Sequence, residues 1–405
     1  MRIKRCRSCK KKRLKNLFSL GSLSYTGKFP SKNQNIKKKK IELVICKNCE
    51  LVQLAHNFDL KYLYGPDYGY RTGINKTMLS HVKEVVEHLS KITKLKKKDY
   101  VLDIASNDAS LLNFYKKKAN TFGIDPILNK YQKEYKNINY KINDFFSAKK
   151  ILNKTNKKFK IITALSVFYD AKNPDNFMGD LRKLVSSDGV IMIEFADLDS
   201  ILKFKMFDTI CHEHLEYYSS KVIIELAKKN GLRVFDIKQN DINGGSKQYF
   251  MCLNSSIIKT KSKVIKKILN KERRNKLSNP KTFFAFYKEI QSIKKNILKK
   301  IDNIKSEGKR IHCYGASTKG NVLLQYFGLN HKKIDFVAER NKNKYGLFTP
   351  GTKIKIISEK KSRSLKPEYY LVLPWHFKKE ILLREKKIIK RGTNFIFPLP
   401  KLKIY

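Results

Sequence analysis

No run of about 18 apolar residues occurs anywhere in the 405-residue chain, so no membrane-spanning helix is expected. The basic opening MRIKRCRSCKKKR leads into no apolar segment; it does not read as a secretory signal, and cytoplasmic residence is expected. Cysteine is scarce. Of seven, four fall into two close pairs and Cys211, Cys252 and Cys313 are scattered, which excludes a disulfide framework and suits a reducing compartment. Acid is also short: 35 Asp and Glu face 88 Lys and Arg, a formal net charge of +53. The lysines spread over nearly every segment beside plentiful Asn and Ile, so the excess reads as compositional bias rather than a nucleic-acid-binding face. Clusters stand at Lys37–Lys40 and Lys96–Lys98, and a basic surface would raise encounter with any anionic substrate. An apolar fraction of 41% over this length allows two to four domains with well-formed cores.

What the chain does have begins with its paired cysteines. Cys6-Arg7-Ser8-Cys9 and Cys46-Lys47-Asn48-Cys49 are CxxC loops, each able to aim two thiolates at one centre. Together they make a closed, tetrahedral, structural zinc site with no open position for substrate. Arg5, Lys10, Lys11 and Lys47 beside them favour the thiolate form. The long stretch between, with GSLSYTGKFPSKN, is expected to be an excursion between the two knuckles.

The middle third alternates strand and helix. Asp99–Ile104 reads as a strand that breaks into Ala105-Ser106-Asn107-Asp108-Ala109-Ser110 before a helical Leu111–Tyr115. Strand, small-residue turn and helix open a doubly wound sheet, with ligands beyond the strand's carboxyl end. A second strand, Thr121–Ile124, ends in Asp125-Pro126, where an acid can take both hydroxyls of a ribose. A GxGxxG loop is missing, which favours a nucleoside ligand such as S-adenosylmethionine over a dinucleotide. Further strands are expected at 159–164 and 189–195, with an amphipathic helix at 181–185 between them.

In the last third Phe283, Phe286, Ile290, Ile293, Ile297, Ile301 and Ile304 keep helical spacing from about Asn279 to Lys305, with lysines on the other face. A strand at 310–314 then breaks at Gly315-Ala316-Ser317-Thr318-Lys319-Gly320-Asn321 before a helix at 322–326, and a strand at 334–337 leads to Glu339. Small residues, a helix N-terminus and Lys319 are the parts of an anion cradle, although Walker A spacing is absent. LVLPWHF and NFIFPLP read as closing strands with turns.

One stretch stays open on residue type alone. CHEHLEYYS, residues 211–219, could be a metal site, an acid–base centre or a polar turn. On a helix Cys211 and His214 share a face, and on a strand His212 and His214 do; either supplies two ligands, and HExxH spacing is absent.

Several stretches together resemble the sugar C-methyltransferase family: CKNCELVQL at 46–54, YGYRTGINKTMLSH at 68–81, VLDIASNDASLL at 101–112, FYDAKNPDNF at 168–177, FDTICHEHLEYYS at 207–219, NGGS at 243–246, YGASTKGN at 314–321 and PGTKIKI at 350–356. They span almost the whole chain in family order. The resemblance implies an α/β protein with a zinc-binding domain at 1–62, a class I S-adenosylmethionine methyltransferase core at 63–245 and a Rossmann-like substrate domain at 246–405. It implies methyl transfer to a carbon, C-3 in the relatives it is most like, of a nucleotide-activated 4-keto-deoxysugar, in branched-sugar or surface-glycan synthesis. His214 becomes the base and Glu213 its partner, while Tyr70 serves catalysis and substrate binding. Asp103, Ala105, Ser106, Asn107, Asp108, Asp125, Pro126 and Ser166 hold the cofactor, and Asn243, Gly315, Ser317, Lys319 and Asn321 the sugar nucleotide. Cofactors are S-adenosylmethionine and structural zinc; a monomer without nucleic-acid or membrane partners is expected. Two departures stand out. Ala105 and Ala109 replace glycines common in the family's cofactor turn, although alanine resists a positive φ. Cys211 stands where a tyrosine is usual, and Tyr70, Tyr217 or Tyr218 could supply the missing phenol. The alternatives are a zinc-ribbon nucleic-acid-binding protein with a degenerate methyltransferase core, or a methyltransferase for another acceptor.

Overall fold

The computed structural model describes residues 2–32, 34–65 and 68–405. Alternating apolar residues in Leu14–Ser24 (β1) and Lys38–Cys46 (β2) pair as an antiparallel hairpin, so the excursion between the knuckles is a β-hairpin. Val52–Leu54 (β3) extends this sheet, and a two-residue strand from far along the chain, Glu216–Tyr217, closes it. The Leu54 amide also donates to the Leu215 carbonyl at 2.8 Å. The zinc-bearing sheet therefore grips the backbone just after His214.

The central sheet has seven strands. Five are parallel, Tyr100–Ile104, Asn120–Ile124, Tyr140–Ile142, Phe159–Leu165 and Val185–Phe195. Leu232–Asn240 and Ser246–Leu253 form an antiparallel hairpin against the last of them. The parallel strands are apolar on both faces because helices cover both, as in a class I methyltransferase core. Ser246–Leu253, just past the boundary expected at 245/246, pairs antiparallel with Val185–Phe195 and continues this sheet. Buried Lys247 extends the attachment, meeting Asp197 at 3.0 Å and Glu272 at 2.6 Å and so drawing the helix Ser262–Arg274 onto the same core.

The long helix forms at Pro280–Ser306, capped by Asn279, whose side chain accepts from the Lys281 amide. Phe283, Phe286, Ile290, Ile297, Ile301 and Ile304 are buried in one stripe, as their spacing requires. The C-terminal sheet orders Ile356–Ser358, Phe336–Glu339, Ile311–Tyr314, Tyr369–Val372, Asn394–Phe397 and Lys403–Ile404, parallel but for its last strand. Phe336–Glu339 begins two residues later than its apolar run suggests, because it pairs in register with Ile311–Tyr314 from His312 onward. One apolar cluster runs from Leu17, Leu20 and Ile45 of the hairpin through Phe207 and Ile210 to Phe286, Leu324 and Val337. The first and last domains thus share a core, and the hairpin packs on the long helix instead of standing alone. No helix among the described residues is long and apolar enough to cross a membrane.

Candidate active site

A cavity of about 850 Å³ opens where the three domains meet. Its first wall is the carboxyl edge of the central sheet. Asp103, Ala105, Ser106, Asn107, Asp125, Pro126 and Ser166 all line it. Asp125 accepts the Asn107 and Ile127 amides, each at 2.8 Å, and Asp103 accepts the Thr163 hydroxyl at 2.6 Å. Burial pushes both carboxyls up, Asp103 to about 7 and Asp125 to about 6, so each gains from a ligand that brings donors or positive charge. A nucleoside with free ribose hydroxyls and a sulfonium fits such a wall. The turn itself runs left-handed at Ala105 (φ 56°), Asn107 (φ 50°) and Ala109 (φ 57°). Both alanines thus adopt the conformation that alanine resists. Ala105→Gly is expected to stabilise the protein by about 1 kcal/mol, read by urea unfolding, since glycine enters this region without the Cβ penalty.

Asp108 departs from expectation. Its carboxylate accepts from Arg71 (3.0 Å), the Gly73 amide (2.9 Å) and Ser110 (2.6 Å), and it faces away from the cavity. It anchors the YGYRTG segment rather than the cofactor, leaving Tyr70 on the cavity wall. The Asp144-Phe145-Phe146 wall, at the tip of the third parallel strand, was not identified from sequence; the strand-end position was the available signal.

The stretch 211–219 is divided by the fold. His214 lines the cavity, with Nδ1 2.7 Å from the Thr209 carbonyl. A carbonyl only accepts, so Nδ1 carries the proton and Nε2 keeps its lone pair. Burial, then nearby Lys319, pulls the imidazole down to about 3, so it is neutral at physiological pH. Glu213 also faces the cavity. Thr26 Oγ1 donates to its Oε2 at 3.2 Å and the Gly27 amide to its Oε1 at 3.0 Å. A Cβ on Gly27 would stand 2.6 Å from that oxygen, so only glycine permits the approach. Burial raises the Glu213 carboxyl above its usual range. His212 is structural, wedged edge-on to Tyr25 and Phe58 and bonded to the Lys39 carbonyl. Tyr217 and Tyr218 are buried off the cavity. Tyr217 donates to the His214 carbonyl and Tyr218 packs on Phe168 and Phe195, which removes both as phenols for the site.

The opposite wall comes from the C-terminal domain. Gly315 (φ 81°) turns the chain against Pro374, and Ser317 caps the helix Thr318–Phe327 by accepting the Gly320 amide at 3.0 Å. Gly315, Ser317, Thr318 and Lys319 line the cavity, with the Lys319 ammonium on the Asn243 carbonyl at 2.9 Å. Asn243 lines it too, itself left-handed at φ 55°. Asn321 does not reach it. Fully buried, it donates to the Thr26 carbonyl at 2.7 Å and secures the loop that holds Glu213. Also on the cavity, unforeseen from sequence, are Tyr64, Tyr68, Tyr169, Asp170 and His376; PWHF reads locally as a strand end and carries no sign of a site.

Away from the cavity the four thiols of Cys6, Cys9, Cys46 and Cys49 lie within 4.8 Å of one another, with Cys6–Cys49 and Cys9–Cys46 at 3.5 Å. A tetrahedral zinc with sulfur at about 2.3 Å requires sulfurs about 3.8 Å apart, so the group fits the ion. The Asn48 amide and the Gln53 side chain donate to Cys46 and Cys6 sulfurs, as thiolates require.

Three family models match in succession: a zinc-binding domain at 6–64, a methyltransferase domain at 74–237 and a C-methyltransferase C-terminal domain at 241–400. The C-methyltransferase NovU of Streptomyces niveus is 26% identical over 367 residues, 90% of this chain and 87% of that one. Among solved structures, an S-adenosylmethionine-dependent methyltransferase from Clostridium acetobutylicum aligns over 43% of this chain and 92% of its own at 12% identity, TM-score 0.36. Magnesium protoporphyrin IX methyltransferase from Synechocystis, with bound S-adenosylhomocysteine, aligns over 47% and 91% at 16% identity, TM-score 0.34.

Proposed function

Starting from a chain that is an S-adenosylmethionine-dependent C-methyltransferase, we propose that its acceptor is a nucleotide-activated 4-keto-deoxysugar, methylated at C-3 for branched-sugar or surface-glycan synthesis. One observation carries the reading. A single cavity joins the nucleoside wall at Asp103 and Asp125, the neutral imidazole of His214, and a helix N-terminus with Lys319 suited to a diphosphate.

When bound, S-adenosylmethionine supplies an electrophilic methyl group on a sulfonium. The chain's own task is to make a carbon nucleophile. A ketone acidifies the neighbouring C–H, and His214 Nε2 takes that proton because Thr209 fixes its tautomer. Glu213, held by Thr26 and Gly27, is the second acid–base group. Asp103, Ala105, Ser106, Asn107, Asp125, Pro126 and Ser166 hold the cofactor, and Tyr70, Asn243, Gly315, Ser317 and Lys319 the sugar nucleotide. Alignment of carbon, methyl and sulfur then lowers the barrier to transfer. The closed four-cysteine site takes no part in the chemistry.

The test is incubation with labelled S-adenosylmethionine and a panel of nucleotide 4-keto-deoxysugars, followed by mass spectrometry. One methyl gained by a 4-keto sugar, and none by its 4-hydroxy counterpart, is the expected outcome. Equal transfer to both would refute a ketone-dependent carbanion.

A further inference from the structure

Removing a proton beside a ketone places negative charge on the ketone oxygen, and a donor must meet that oxygen on the side of the base. Cys211, three residues before His214, does not. It is fully buried and off the cavity wall. Thr209 is committed to the imidazole. Lys319 donates to the Asn243 carbonyl, lies near the buried Asp208 carboxylate and keeps its remaining donors for the diphosphate proposed above.

Tyr169 is placed differently. Its ring lies against the His214 imidazole, centroids 4.1 Å apart and planes at 51°. Its carbonyl accepts the Leu215 amide at 2.8 Å, which fixes the phenol segment to the strand that carries the base. The residue lines the cavity just beyond Ser166, at the end of the strand that faces the nucleoside wall. Burial and neighbouring Asp170 lift its hydroxyl well above the ordinary phenol range, so it keeps its proton at neutral pH; it meets the cavity-lining Ser166 hydroxyl and would turn from that partner to donate to a ligand.

We infer that Tyr169 is a catalytic residue that donates a hydrogen bond to the substrate's enolate oxygen. The inference rests on the ketone-dependent reaction proposed above. In the step concerned the C–H bond breaks, its proton passes to His214 Nε2, and its electron pair forms the carbon–carbon double bond as the carbonyl π pair moves to oxygen. Tyr169 holds that oxygen without giving up its proton. When the enolate carbon takes the methyl group, the pair returns, the ketone re-forms, and the sulfur leaves with the S–C pair.

Proton exchange isolates this half of the reaction. Wild type, Tyr169→Phe and Lys319→Met are each incubated in D₂O with a nucleotide 4-keto-6-deoxyhexose and no S-adenosylmethionine, and loss of the C-3 proton is followed by NMR. Tyr169→Phe is expected to exchange about 10²–10³-fold more slowly than wild type, with methyl transfer lowered alike and S-adenosylmethionine binding by calorimetry unchanged. Exchange at the wild-type rate in Tyr169→Phe overturns the assignment, and loss of exchange only in Lys319→Met transfers the role to Lys319. Wild type that neither exchanges nor methylates any 4-keto sugar overturns the functional reading, and the role of Tyr169 with it. Incorporation of 3-fluorotyrosine at 169 guards against a folding artefact, because it keeps the hydroxyl and makes it more acidic. Exchange should persist in that protein, and its loss there as in Tyr169→Phe counts against a role for the hydroxyl.

Discussion

Replacing His214 with alanine is expected to slow both proton exchange and methyl transfer by about 10²–10⁴-fold, with S-adenosylmethionine still bound. The expectation rests on one contact. Thr209 accepts from Nδ1, which leaves Nε2 as the lone pair facing the cavity, beside Glu213 and opposite Lys319. The proposed cofactor wall at Asp103 and Asp125 belongs to other strands, so its affinity should survive. The pH profile supplies a second check. Because burial holds the His214 imidazole down at about 3, proton exchange measured without S-adenosylmethionine, and so without the cofactor acids Asp103 and Asp125, should show no histidine limb near the ordinary value of about 6.5. Full-rate transfer by His214→Ala would remove His214 as the base.

The second large effect is on the zinc. Stripping the ion with a chelator, or Cys46→Ser, should lower the unfolding midpoint by more than about 10 °C and abolish transfer. Structural zinc sites hold their ion with an apparent binding free energy of about 10–16 kcal/mol, which is also folding free energy. Cys46 ends β2 and is fully buried, and the same hairpin packs on the long helix and the C-terminal sheet. It also ends in the loop whose Thr26 and Gly27 hold Glu213, so losing the metal reaches the acid–base pair without touching substrate. Elemental analysis should find one zinc per chain. A chelated protein that melts and turns over like the untreated one would contradict the link.

Local chemistry was legible in the sequence where a short segment decides its own shape. The CxxC loops form the thiol cluster because each loop fixes two ligands by itself. The period of Phe283 to Ile304 marks the long helix with its cap at Asn279. Strand, small turn and helix at 100–113 and 311–327 place both ligand walls. What the sequence conceals depends on partners far apart. Glu213 is held by residues 186 and 187 positions away, and nothing in GSLSYTGKFPSKN signals it. Asp108 and Asn321 stand in ligand-like turns yet tie down neighbouring segments, because the polar turn residues of a three-domain junction also have backbone groups to satisfy. By residue type Tyr217 and Tyr218 are as eligible as Tyr70, but the pairing of Glu216–Tyr217 with Val52 and Gln53 directs them into the core. Ala105 and Ala109 take a left-handed turn that their own preference opposes, because the flanking strand and helix impose it.

The most direct measurement is the NMR spectrum of product made with S-adenosylmethionine carrying a ¹³C methyl group. The expected result is a methyl carbon bonded to a ring carbon next to the retained ketone, with one C–H signal of the substrate gone. A label found on oxygen or nitrogen, or a substrate that keeps all its C–H signals after transfer, would contradict it.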